Sequence, residues 1–228
     1  MKTRPATTAH RGRGKRDPEA TRQALLQAGA ELFSERGFDG VSTSEVAARA
    51  GVNKALISYH FRGKRGLYVA ILESAFASLV ERLRAIETDT KSAPDTLRAF
   101  LETFARFTRE RPGFPTLFMR EVLAAGIDEA VLPHLLDIIG FSRRLAERGA
   151  REGVFRRVDP LLFHLTLVGS LIFFFATEPA RRKAAAQARV AFVLPDSKGF
   201  LQYLEDLTLR GLAPQDPPSR LRRKGARA

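Results

Sequence analysis

Cysteine and tryptophan are missing from the 228 residues, and methionine and tyrosine are down to two and three. Without cysteine there are no disulfides, thiolate nucleophiles, zinc–cysteine sites or iron–sulfur clusters. That suits a reducing interior, and a cytoplasmic location is expected. Alternating apolar runs bounded by Asn-Gly or Asp-Gly turns are nearly lacking, so strands are not expected. No G-x-S-x-G, P-loop, G-x-G-x-x-G, H-E-x-x-H or close histidine pair occurs, and Asp128-Glu129 falls in a loop with no partner to tune it. The reading is no enzyme, no cofactor and no bound metal. The most apolar run, Leu161–Ala176, is sixteen residues long and includes His164. A spanning helix needs roughly 20 residues, so this run reads as a helix buried in protein, with no membrane partner. No apolar stretch follows the basic N-terminus within signal-peptide range, and no fixed-period repeat suggests a solenoid.

What is abundant is positive charge: 38 Lys+Arg against 25 Asp+Glu, a formal net charge of +13. Such a chain seeks polyanions, either nucleic acid or an acidic membrane surface. Residues 1–16 contribute +6 with no acid and residues 212–228 contribute +4, leaving +3 for the 195 residues between. Both tails are rich in Pro, Gly, Ala and Thr and read as disordered basic arms. A nonspecific polyanion binder driven by these tails is therefore the alternative to any reading based on the fold.

Apolar residues recur at three-to-four spacing throughout, so the fold class is all-α. Asp17-Pro18 opens a first helix whose stripe is Ala24, Leu25, Ala28, Leu32 and Phe33, ending at Gly37. Ser42 or Thr43 caps a short helix, Ser44 to Ala50, with Glu45 favouring its positive end. Gly51 ends it, and Asn53 caps a third helix, Lys54 to His60. Gly63 and Lys64 interrupt the chain before a long helix from Lys64 to about Glu87. The polar stretch from Thr88, closed by Pro94, marks a join. Helices are expected beyond it near 94–110, 113–125, 133–151, 159–177 and 197–211, most of them bounded by prolines.

The informative segment is Thr43 to Lys64, TSEVAARAGVNKALISYHFRGK. Two short helices about a tight glycine-containing turn make a helix-turn-helix. Val46, Ala47, Ala50, Val52, Ile57 and Phe61 can point inward, leaving Lys54, Ala55, Ser58, Tyr59 and His60 outside. Between Val46 and Leu72 stand Arg49, Lys54, Arg62, Lys64 and Arg65 with no acid. Such charge beside a slender helix is what a phosphate-flanked major groove requires. Residues 17–64 are nevertheless net neutral, with six acids and six bases, so placement of charge must decide.

Together with AGAELFSERGFDGVST before it and KRGLYVAIL after it, the segment EVAARAGVNKALISYHF resembles the DNA-binding domain of TetR/AcrR-type bacterial transcriptional regulators, over Asp17 to about Ala77. The resemblance implies a three-helix helix-turn-helix domain at 17–77, joined by a long helix to a helical effector-binding and dimerisation domain at 78–211. It implies a homodimer reading a palindromic operator in double-stranded DNA, most often as a repressor. The second short helix then lies in the major groove, with Asn53, Lys54 and Ala55 nearest base edges. Thr43, Tyr59, His60 and Lys64 touch phosphates. Ser58 departs from the family's usual aromatic, so it makes a smaller contact or leaves the load to Tyr59.

Thirteen of the seventeen phenylalanines lie beyond Pro94. With the resemblance they imply an apolar or aromatic effector, of unknown identity, lined by Phe100, Phe104, Phe107, Phe114, Phe118, Met119 and Phe163. Arg120, Glu121, His134 and His164 are the polar groups that could orient it. At i, i+4 and i+7, Phe100, Phe104 and Phe107 equally suit a plain core. Leu161–Ala176 and the leucines after Phe200 supply apolar surface for a four-helix dimer interface, with Gly169 and Ser170 permitting close approach.

Overall fold

The computed structural model describes residues 17–89, 92–124, 126–187 and 193–214, and among them there are ten helices and no strand. The basic arms thus fall outside the described residues. The chain forms two compact units that divide between Tyr68 and Val69.

The first unit contains α1 (Pro18–Arg36), α2 (Thr43–Ala50), α3 (Ala55–Phe61) and the first turn of α4 (Lys64–Asp89). Asp17 caps α1 by accepting from the Glu19 amide at 3.0 Å, and Pro18 takes the first position, where no amide is needed. At α2, Ser42 and Glu45 form a reciprocal capping box. Gly51 ends α2 in the left-handed region, φ 64°. The Asn53 side chain accepts from the Ala55 amide at 2.8 Å, while Lys54 stands just before α3 and not within it. Phe33, Val46, Ile57 and Leu67 are at most 1% exposed and form the core, with Phe33 and Phe38 edge-on to Tyr68. Each such side chain contributes about 1.5–3 kcal/mol on burial. Ala50 and Val52, expected inside, are only half-buried, because they flank the turn where α2 and α3 diverge. The α3–α4 turn uses Arg62 at φ 60° and Gly63 at φ 117°; Arg62 is the one non-glycine residue with positive φ among the described residues.

The second unit holds the rest of α4, α5 (Ala93–Glu110), α6 (Phe114–Ala124), α7 (Leu132–Arg151), α8 (Pro160–Ala176), α9 (Glu178–Gln187) and α10 (Ser197–Leu212). α5 packs on α7 and α10, and α8 on α6 and α7. The centre is a chain of rings. Phe100 stacks on Phe141, Phe107 meets Phe114 edge-on, and Phe76 meets both Phe114 and Phe118. Phe155, from the α7–α8 loop, seats on Gly149, where a Cβ would lie 1.9 Å from the ring. Arg156 closes the end of α10, donating its amide to Leu212 and its Nε to the Gly211 carbonyl.

Helix α9 was not expected from the sequence, which places only a proline boundary there. It has no buried residue, so no apolar stripe announces it. α8 contains the apolar Leu161–Ala176 run and buries Phe163, His164, Leu167, Leu171, Ile172 and Phe174. No single described helix is long and apolar enough to cross a membrane. On the outside of α8, Leu161, Leu165 and Phe173 are 51%, 57% and 64% exposed, with exposed Gly169 continuing their four-residue spacing. On α10, Tyr203 and Leu207 are exposed in the same way. Among the described residues, nothing covers these apolar side chains.

Candidate nucleic-acid interface

α3 is short, and two side chains fix its orientation. Ile57 and Phe61, four residues apart, are 1% and 6% exposed and pin one face to the core. The opposite face must then present Lys54, Ala55, Ser58 and Tyr59, all exposed, while His60 is half-buried at the edge. Tyr59 is 78% exposed and meets His60 edge-on, ring centroids 4.9 Å apart. A tyrosine this exposed contributes little to the unit's own core, and Lys54 has no ion pair among the described residues.

Thr43 opens α2 beside the capping box, half-buried. Glu45 places a carboxylate at that helix end. It accepts from the Ser42 amide and hydroxyl and from Arg36 Nη1, which push its pKa down to about 2. Arg36 thereby offsets a negative charge beside Thr43. Arg49 is likewise taken up by Glu31 of α1 at 3.0 Å. Of the five cations between Val46 and Leu72, Arg49 is thus occupied within the fold. Lys64 sits with Nζ 4.3 Å from the Phe38 ring centroid, a cation–π contact of about 0.5–1 kcal/mol at a partly exposed site. Lys64 and Asn53 bracket α3, so seven of the eight residues singled out from the sequence lie on α3 or immediately flank it, while Thr43 stands at the start of α2. Phe38 lies under Lys64, and Arg36 pairs with Glu45. Neither was legible beforehand, because their partners are distant in sequence.

The effector candidates separate into two groups. Phe100, Phe104 and Phe107 are at most 1% exposed, Phe114 is 4% and Phe163 7%: they are core. Phe118 and Met119 are half-buried at its edge. A cavity of about 20 Å³, room for one water, is lined by Val80, Leu83, Arg84, Asp137, Phe141 and Arg144 and includes none of the candidates. Of the polar candidates, Glu121 and His164 are buried, His134 half-buried and Arg120 exposed. His164 Nδ1 lies 3.0 Å from the fully buried Ser142 Oγ, and burial lowers its pKa. The unfolded chain, with an ordinary histidine near 6.5, takes up this proton first as pH falls. Melting temperature should therefore hold steady above about pH 7 and fall below about 6.5, and His164→Gln should flatten that fall in a calorimetric pH series. Among the described residues no cluster of three His, Asp or Glu is placed to hold a metal.

Comparison with known proteins gives the same picture. The sequence pattern of bacterial regulatory proteins of the tetR family matches residues 25–71. The transcriptional repressor NicS of Pseudomonas putida is 25% identical over 201 residues, covering 85% of this chain and 93% of NicS. The transcriptional activator FasR of Mycolicibacterium smegmatis is 35% identical over 108 residues, 46% of this chain and 49% of FasR. Among solved structures, a TetR/AcrR-family regulator from Thermobifida fusca superposes with a TM-score of 0.59 at 24% identity, covering 83% of this chain and 97% of its own. The Bacillus subtilis regulator FadR, solved with stearoyl-CoA, gives 0.69 at 14% identity, covering 83% and 98%. Residues 25–71 thus match the DNA-binding domain of tetR-family bacterial regulators, and over most of its length the chain resembles transcriptional regulators of that type.

Proposed function

We propose that the protein is a cytoplasmic repressor that binds a palindromic operator as a homodimer and is released by an apolar or aromatic small molecule. The observation that carries the DNA reading is the outer face of α3: Lys54, Ala55, Ser58 and a 78%-exposed Tyr59 on a helix held by Ile57 and Phe61. In the groove, Asn53, Lys54 and Ala55 stand nearest base edges, with Lys54 able to reach guanine O6 or N7. Thr43, Tyr59, His60 and Lys64 hold phosphates and fix register. The uncovered faces of α8 and α10 support the dimer, and two heads then read half-sites about one helical turn or more apart. Residues 17–77 serve DNA binding in this reading, and 78–211 effector binding and dimerisation.

For the effector, Phe118 and Met119 offer the way in, since they border the ring cluster without being sealed inside it. A ligand entering there must part Phe100, Phe104, Phe107 and Phe163, so it selects a repacked second unit. Operator affinity falls by the ligand's preference for that state.

A selection from random duplex DNA at physiological salt tests this. Wild-type protein is expected to enrich a palindrome, and Tyr59→Ala/Lys64→Ala to lose it, with affinity down about 100-fold or more. Protein lacking residues 1–16 should keep the motif while its salt slope falls. No enriched motif, with wild type and double variant binding alike, hands the function to the basic tails.

A further inference from the structure

Arg62 presents a conflict between backbone and side chain. It caps α3 in the left-handed conformation, φ 60° and ψ 23°, its amide donating to Ser58 at 3.0 Å. At this position glycine carries no steric penalty and asparagine little, whereas an arginine is strained. Glycine was within easy reach of the chain, since Gly63 follows at once. Among the described residues nothing explains the long cation, which is exposed and has no ion pair there. A strained residue whose side chain is unused by the fold points outward for its role.

Its surroundings say what that role is. Arg62 lies on the α3–α4 turn between His60 and Lys64, within a segment from Val46 to Leu72 that has no acid. Arg49, by contrast, is spent on Glu31. We infer that Arg62 is a further DNA contact, gripping a backbone phosphodiester beside the one held by Lys64, and that the head accepts a strained turn to place it there. The inference rests on the proposed insertion of α3 in the major groove. Arginine suits this work because its planar fork meets two phosphate oxygens at once.

The strain makes the test specific, because stability and affinity should move in opposite directions. On a duplex carrying the selected palindrome, Arg62→Gly is expected to bind about tenfold more weakly at physiological salt. Its slope of log K against log salt should shrink by about 2, one phosphate for each of two heads. The same variant should melt about 2–4 °C higher, relieved of the left-handed arginine. Arg62→Lys should keep the salt slope and the melting temperature of the parent. An unchanged slope in Arg62→Gly, or a lower melting temperature, overturns the inference alone. A parent protein that enriches no palindrome overturns it together with the groove reading.

Discussion

Gly66→Ala should cost the N-terminal unit about 3 kcal/mol or more and lower its melting temperature by about 10 °C or more. Gly66 lies in the first turn of α4, and a Cβ there would stand 1.8 Å from the Phe61 carbonyl oxygen. That atom is backbone, so no side-chain rotation can make room. Either α4 moves away from the end of α3 or α3 unwinds, and both displace Tyr59, His60 and Lys64 together. DNA binding should therefore fall with stability, which circular dichroism melts and a binding titration would register side by side. Gly211→Ala is the control: a Cβ there meets nothing within 4 Å, and losing a helical glycine should stabilise by about 0.5–1 kcal/mol. If both variants behave alike, the close approach of Gly66 to Phe61 is not what holds the turn.

Leu165→Glu with Phe173→Glu should convert the proposed homodimer to monomers, raising its dissociation constant about 1000-fold or more. Both side chains already face solvent within one chain, at 57% and 64% exposure, so helicity and the monomer's core should survive. In a dimer across α8 and α10 the four new carboxylates would lie in an apolar seam, unpaired, at several kcal/mol each. A stable interface needs about 800 Å² from each partner, and the seam through Leu161, Leu165, Phe173, Tyr203 and Leu207 is its natural centre. Analytical ultracentrifugation reads the result directly. Dimers of unaltered affinity would move the interface elsewhere on the second unit.

The helices that could be drawn from the sequence are those with punctuation. Asp17-Pro18, Gly37, Ser42 with Glu45, and Gly51 mark ends through hydrogen bonds made within a few residues, and the observed ends agree to within a residue or two. α9 lacked both an apolar stripe and a buried residue, so periodicity had nothing to detect. α3 shows a subtler difference: Lys54 lies before the helix and Phe61 within it, and the break expected at Gly63 and Lys64 begins one residue earlier, with Arg62 as well as Gly63 at positive φ. On the interface, inward Ile57 and Phe61 fix the outer face by helical geometry alone, which is why Ser58 and Tyr59 were legible. The Arg36–Glu45 and Arg49–Glu31 pairs span nine and eighteen residues, and no local rule reaches that far. The phenylalanine stripe was ambiguous for a different reason. A closed core and a ligand-lined pocket share one pattern, and Phe100, Phe104 and Phe107 are closed here.

The scarcity of aromatic hydroxyls has a spectroscopic consequence. With no tryptophan to dominate emission, ultraviolet fluorescence comes mainly from three tyrosines, each in a different environment. Tyr59 stands on the outer face of α3, Tyr68 is 3% exposed in the core of the first unit, and Tyr203 is 66% exposed on α10. Single-tyrosine proteins, the other two replaced by phenylalanine, would give unlabelled optical reporters. Tyr59 would report nucleic-acid stacking, Tyr68 unfolding of the head, and Tyr203 self-association through its accessibility to iodide. One chain could thus be followed through operator capture, melting and dimer exchange without attaching a dye.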